Sequence, residues 1–463
     1  MKTKRLLIAV AFLFTLACTC NNLSVLPFAP STPSSPPATA TATLLPPTAT
    51  PPYIPDECVG QPVATIPAVT LTAEPTLSIG TNPPLTKGRQ LAVFQELTAP
   101  IPSLYVYPDF NGLDWPATVA KYRAKVESGL DTETFYTEMQ NMINELNDDH
   151  SRFESPAEVA ATNAQLAGNN NYVGIGVEIL PLPDKGKITI LLVFPGSAAE
   201  HAGLQQHDSL LAVDGIPLVQ NGVVHSEWVR GPACSAAVLT VQTPGQAPRD
   251  ITVLRYSVKS SVPIIARLVP TQDGSRIGYI FLPSYFDETL PGQVKQALEQ
   301  FGPLDGLILD NRMNSGGSSD VVEPIMGYFT GGVLGHFASR TSQNPFQVTA
   351  DPINNSQTVP MVVLVGTGTV SFGEITSGVL QDIGRAKVVG QTTLGNMEIL
   401  FGHDLSDGSR LWLAQERFVP LHSKADWEKT GIVPDVQAYA DWDTFTFAND
   451  PSVAAALTLL GHK

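Results

Sequence analysis

The sequence predicts an α/β protein of more than one domain, and three patterns carry that expectation. From Arg276 onward, short apolar strands alternate with helical stretches, as in a mainly parallel sheet layered with helices. Residues 172–257 are β-rich and punctuated by Gly and Pro. Ahead of them, apolar residues recur at helical spacing. A length of 463 residues allows two or three domains. Lys+Arg 27 against Asp+Glu 43 gives a formal charge of −16, which disfavours a binder of nucleic acid or any other polyanion. Charged residues are only 15% and prolines number 39, so some stretch is neither charged nor folded. The 43% of apolar residues still supplies ample core.

The unfolded stretch lies near the amino end. Residues 1–17 read as a secretory signal: Lys2, Lys4 and Arg5, then an apolar run from Leu6 to Ala17 too short to span a bilayer as a folded helix. The run closes in Thr15-Leu16-Ala17-Cys18, which resembles a bacterial lipobox. That resemblance implies cleavage before Cys18, its acylation, and attachment to a membrane through lipid only. Ordinary secretion with Cys18 discarded is the alternative. Residues 18–87 are then the anchor cysteine and a stalk. From Pro27 to Pro55 the chain is almost only Pro, Thr, Ala and Ser, which favours extended polyproline-like states. The four cysteines show no zinc spacing, so no metal is expected. Cys58 and Cys234 could pair in an oxidising compartment.

Folded sequence follows in order. Trp115, Val119, Tyr122 and Val126 mark one amphipathic helix, and Phe135, Met139, Met142, Ile143 and Leu146 a second behind an Asp131 cap. They belong to a helical region, 88–165, that contains the polar turn Asn147-Asp148-Asp149-His150-Ser151. The β-rich region is 171–258. The alternating region, 270–440, runs strand Ile277–Leu282, helix near 290–301, strand Leu304–Asp310, helix near 319–328, strand Met361–Val365, helix near 373–383 and strand Lys387–Val389. A terminal helix occupies 441–463.

Three ordered motifs in the β-rich region are Tyr172-Val173-Gly174-Ile175-Gly176-Val177, Pro195-Gly196-Ser197-Ala198-Ala199-Glu200-His201-Ala202-Gly203-Leu204 and Asp208–Gly215. Together they resemble a PDZ domain. The resemblance implies that Gly174, Ile175, Gly176 and Val177 offer N–H groups to a peptide carboxylate while the peptide adds as a strand. His207 stands where such domains usually have Gly, so a differently shaped turn is expected there.

Around this region lie Asp149-His150-Ser151, Gly278-Tyr279-Ile280, Asp310-Asn311-Arg312-Met313-Asn314-Ser315-Gly316-Gly317, Thr369-Val370-Ser371-Phe372-Gly373-Glu374 and Gly431-Ile432-Val433-Pro434-Asp435. In this order, over about residues 90–440, they resemble the tail-specific (C-terminal-processing) serine peptidases and their tricorn-like relatives. The resemblance implies a helical cap, an inserted PDZ domain and a crotonase-like α/β core. Ser371 falls between an apolar strand and a helix, where a nucleophile would sit beside a positive helix terminus. The same residues, Ser371-Phe372-Gly373-Glu374, also form an S-x-x-E capping box, and both roles can hold together. The oxyanion donors implied are the N–H of Phe372 and one from Gly316 or Gly317.

The general base is the open question. In the main branch of the family a Lys follows the Ser by 25 positions, with Gln four residues beyond. Here Asn396 and Leu400 stand there, and neither accepts a proton. In the tricorn-like branch the base is a cap histidine, which His150 matches, and imidazole suits base chemistry near neutral pH. Glu428 is ranked first as its acid partner for its place before Gly431–Asp435, with Glu398 as rival. The expectation is an exported serine endopeptidase, without metal or organic cofactor, acting on a peptide or unfolded protein held by the PDZ groove. Loss of Lys and Gln also fits a pseudo-protease that holds a chain end without cutting it.

Overall fold

The computed structural model describes residues 52–60, 64–65, 82–148, 150–166, 172–258, 262–423 and 425–462. The signal segment, Cys18 and most of the stalk lie outside the described residues. Three helices open the main body: Lys87–Thr98, Trp115–Ser128 and Thr132–Asn144. Each begins on a side chain that satisfies an orphan N–H, Thr86 accepting from Arg89, Asp114 from Ala117 and Asp131 from Thr134. Trp115, Tyr122, Val126, Phe135, Met139 and Met142 are buried in one cluster with Leu400, Leu411 and Leu413 from two later strands. The helices are thereby fastened to the other half of the molecule.

The β-rich region closes around Ile188, Ile190, Leu210, Val213, Leu239 and Val253. Its sheet runs Ala64–Thr65, Ser235–Gln242, Ser209–Val213, Lys187–Val193, Val177–Leu182. Strand Val177–Leu182 is at the edge, paired only with Lys187–Val193. The end of the expected stalk is corrected here. Cys58 and Cys234 are joined by a disulfide, Ala64–Thr65 adds in parallel beside Ser235–Ala236, and the Tyr53 ring stacks on His201 at 3.6 Å. Composition favours extended chain over this stretch, but a crosslink and a strand pairing fix it. Spanning a sequence separation of 176 residues, the crosslink stabilises by about 5 kcal/mol if chain entropy alone counts.

A six-stranded sheet forms the centre of the alternating region, in the order Ile265–Val269, Ile277–Phe281, Gly306–Asp310, Met361–Val365, Lys387–Gly390, Val436–Gln437. The last five are parallel and the first antiparallel. Helices Leu290–Phe301, Ser319–Phe329 and Phe372–Asp382 connect them. The strand expected from Leu304 starts at Gly306, because the Leu304 N–H and C=O are taken by the Asn355 side chain. A second sheet, unseen in the alternation, joins Gly332–Ala338, Gln343–Val348 and Arg410–Pro420 to Arg152–Glu154 and Ile399–Asp404. It carries the chain from the helices to the core.

The terminal helix is shorter than expected, Pro451–Leu459. Residues before it make polar anchors instead: Lys185 reaches Asp441 and Asp443, and His207 Nδ1 lies 2.8 Å from the Trp442 carbonyl oxygen. His207 takes a left-handed φ of 76°, and its ring lies 4.4 Å from those of both Trp442 and Phe445. Burial pushes this imidazole down to about 4.

One buried ionic triad ties the terminal helix to the central sheet. Arg312 Nη2 lies 2.6 Å from both Asp310 Oδ2 and Asp450 Oδ2, and the Tyr279 hydroxyl donates to Asp310 at 2.7 Å. Asp450 also caps the helix through the N–H groups of Ser452 and Val453. Asp450→Ala should therefore cost about 3–5 kcal/mol in urea unfolding, because it leaves a buried guanidinium short of a partner. Asp441→Ala, which loses only a surface pair, should cost less than about 1 kcal/mol.

Candidate active site

Ser371 lies between strand Met361–Val365 and helix Phe372–Asp382 with φ 56° and ψ −124°. Such a backbone costs a non-glycine residue roughly 1–3 kcal/mol, so its surroundings must impose it. The Ser371 N–H donates to the Asn396 carbonyl at 2.8 Å and to the Glu374 carboxylate at 3.3 Å. Glu374 also accepts from the N–H groups of Gly395 and Asn396, each at 2.8 Å. The Val370 N–H donates to the Asn314 carbonyl at 2.9 Å. The expected capping box is thus closed from the Glu374 side, while the buried Ser371 hydroxyl makes no hydrogen bond.

The Gly316-Gly317 turn lies directly against Ser371. A Cβ on Gly316 would stand 2.7 Å from Ser371 Cβ and 3.2 Å from its Oγ, and one on Gly317 would stand 2.1 Å from the Tyr285 carbonyl carbon. With φ of 83° and 152°, both positions require glycine for space and for backbone. The Gly316 N–H is spent on Asn314 Oδ1 at 3.0 Å. The N–H groups of Gly317 and Phe372 have no acceptor among the described residues. Phe372 opens the helix, so its N–H carries the positive end of the dipole.

His150 comes from the turn after the third helix. Asp148 accepts from the N–H groups of His150 at 3.1 Å and Ser151 at 2.7 Å, and from the Ser151 hydroxyl at 2.6 Å. Ser151 Oγ accepts from the Ala414 N–H, which pins the turn to strand Arg410–Pro420. His150 Nδ1 lies 2.7 Å from Glu398 Oε2, an ion-pair contact rather than an aligned hydrogen bond. The Tyr107 hydroxyl donates to Glu398 Oε1 at 2.8 Å. Burial raises the Glu398 carboxyl, but His150 and hydrogen bonds from Glu428 and Tyr107 outweigh it and hold the group below the ordinary carboxylate value. Burial first, and then Glu398, push the Glu428 carboxyl up to about 11.

Of the two acids, it is Glu398 rather than Glu428 that contacts His150. Glu398 stands just before strand Ile399–Asp404, which runs under the cap helices, and so meets His150. Glu428, on the short helical turn Trp427–Thr430, takes the Met397 N–H at 2.6 Å and abuts Glu398. Ligand atoms of His150, Glu398 and Glu428 lie within 4.8 Å of one another, but they are engaged with each other and with Met397. Leu400 is buried in the cap cluster, and Asn396 uses its backbone on Ser371 and Glu374 while its buried Oδ1 has no partner. Ser371 and His150 are not hydrogen-bonded to each other. Tyr107, Asp148 and Asn314 were not singled out by sequence; only the Asn-x-Gly-Gly spacing hinted at the last.

A strained serine at a helix start with free N–H donors beside it, and a histidine–carboxylate pair from the cap and a later strand end, are the residue types that acyl transfer uses. The sequence pattern of Peptidase family S41 matches residues 276–438. The carboxyl-terminal-processing protease of Synechocystis sp. is 30% identical over 367 residues, covering 77% of this chain and 83% of that protein. The chloroplastic C-terminal processing peptidase of Tetradesmus obliquus is 28% identical over 363 residues, covering 74% and 76%. The solved structure of a photosystem II D1 C-terminal processing protease aligns with a TM-score of 0.53 at 25% identity, covering 81% of this chain and 97% of that one. The chain belongs to the S41 serine peptidases, in the tail-specific, C-terminal-processing family.

The strain at Ser371 can be measured apart from chemistry. Ser371→Gly should be more stable than Ser371→Ala by about 1 kcal/mol in thermal unfolding, since only glycine occupies this φ freely. Equal stabilities would mean that the turn is unstrained.

Proposed function

We propose an exported serine endopeptidase, held to a membrane by lipid on Cys18, that cuts chain ends or unfolded segments. The observation that carries this reading is the unbonded Ser371 hydroxyl on its strained turn, beside the Gly317 and Phe372 N–H groups. Ser371 Oγ attacks the scissile carbonyl carbon and passes its proton to His150. The tetrahedral oxyanion takes the N–H groups of Phe372 and Gly317. Collapse breaks the C–N bond, and His150 returns the proton to the leaving amine. Water then opens the acyl-enzyme by the same route in reverse. Glu398 takes the orienting role, since its contact with Nδ1 leaves Nε2 for the serine. Engagement needs the cap histidine and Ser371 to come into hydrogen-bond reach, as triads without substrate are often loose.

The β-rich region reads as a PDZ-like recruiting domain, inserted between the cap and the crotonase-like core. Its open edge strand, Val177–Leu182, follows the Gly174–Val177 loop, so a peptide can add there with its carboxylate at the loop. Gly176, at φ 79°, has no room for a side chain against Ser197. Among the described residues no helix is long and apolar enough to cross a membrane. The names of the relatives, as C-terminal processing enzymes, support chain ends as substrates.

A second reading, a pseudo-protease that holds peptides, is favoured by Asn396 at the lysine position and by the unengaged Ser371. Turnover of a denatured protein by wild type, Ser371→Ala and His150→Ala separates the two. The peptidase reading expects no turnover by Ser371→Ala and a loss of roughly 10²–10⁴ in kcat for His150→Ala. Undiminished cleavage by Ser371→Ala would end it. Peptide binding without cleavage by wild type would establish the second reading.

A further inference from the structure

We infer that Glu428 is a positioning residue: its neutral carboxyl donates a hydrogen bond to Glu398 and holds Glu398 as the anion facing His150. The inference rests on the proposed roles of Ser371 and His150. Its basis is the order of contacts. Glu398 meets His150 Nδ1 with one oxygen and the Tyr107 hydroxyl with the other, and a carboxylate oxygen of Glu428 lies within 4.8 Å of one of its own. Glu428 in turn rests on the Met397 N–H. Two carboxyl groups this close in a buried site oppose each other's ionisation, so the pair keeps one proton and titrates as a unit.

The neighbours decide which oxygen carries that proton. Glu398 has the Tyr107 hydroxyl as donor on one oxygen and the His150 ring against the other, whereas Glu428 has one backbone donor and faces the Glu374 carboxylate. Asp148 and Tyr105 face Glu398 from the cap, and Asp426 lies near Tyr107. Apart from His150, these facing groups are acidic or phenolic and oppose a second negative charge. The proton therefore belongs on Glu428, the member pushed up by burial and by Glu398.

The consequence for catalysis is a matched charge. When His150 takes the serine proton, its imidazolium meets one negative charge rather than two. A doubly ionised pair would bind that proton too tightly to return it to the leaving amine. The pair thus orients His150 with a single negative charge.

The test uses the full chain with a denatured protein substrate, and thermal unfolding across pH. Glu428→Ala is expected to lower kcat about tenfold with KM little changed. Glu428→Gln, which keeps an N–H donor and cannot ionise, should recover most of that loss. The stability arm has a definite sign. The folded pair retains a proton that unfolded carboxylates release above about pH 5, so wild-type stability falls as pH rises. Glu428→Gln lacks this term, and its Tm relative to wild type should climb between about pH 5 and 9. Glu428→Gln as impaired as Glu428→Ala, or a Tm gap flat with pH, would overturn the inference. Absence of turnover by wild type defeats the peptidase reading instead, and the Tm gap then decides the pair alone.

Discussion

The carboxylate of Glu374 gathers the N–H groups of Ser371, Gly395 and Asn396. It fixes the turn that bears Ser371 and, with the same oxygens, the loop that leads two residues later to Glu398. A buried carboxylate is costly unless hydrogen bonds replace its water, and here backbone donors from two segments do so. Burial pushes the group up, and those hydrogen bonds work against the rise. The strained φ of Ser371 is tolerable because this anchor and the Asn396 carbonyl hold the serine N–H in place. Without it, Ser371 and the segment leading to Glu398 would have no common frame.

His150 arrives from a different part of the chain. It belongs to the helical cap, and the five-stranded sheet ties it to Glu398: Arg152–Glu154, two residues after His150, pairs with Arg410–Pro420, which also pairs with the strand after Glu398. Position therefore passes through backbone pairing rather than through a salt bridge at the surface. The cap cluster around Leu400 and Leu411 adds apolar burial to the same joint. Where relatives of the main branch carry Lys and Gln, this chain has Asn396 and Leu400. Leu400 gives its side chain to the cap core, while Asn396 bonds Ser371 and Glu374 through its backbone.

Local physics made much of this legible from sequence. The alternation from Ile277 to Gly390 is short-range patterning, and each of its strands and helices lies within two residues of where it was expected. Asp131 caps its helix because a carboxylate before Thr-Glu-Thr has little else to do there. The place of Ser371 between a strand and a helix was legible from the apolar run before it and the S-x-x-E pattern after it. The second sheet was not, since its strands come from residues 152–154, 332–348 and 399–420, and pairing across such gaps leaves no local signature. The choice between Glu398 and Glu428 escaped for a related reason: it depends on which acid lies under the cap, a long-range fact. Tyr107 and Asp148 had no spacing to betray them. Residues 52–60 and 64–65 misled because composition reports what a chain can bury, not what a crosslink or a strand pairing can hold.

The Cys58–Cys234 disulfide makes a covalent ring of everything between those residues. His150 lies inside the ring, whereas Ser371, Glu398 and Glu428 lie outside it. A single nick anywhere in the ring, including one made by a neighbouring copy, cuts the backbone but leaves both fragments joined through sulfur. In an oxidising compartment such a nicked molecule keeps its stalk, its histidine and its serine as one particle. Reduction would let the two fragments part.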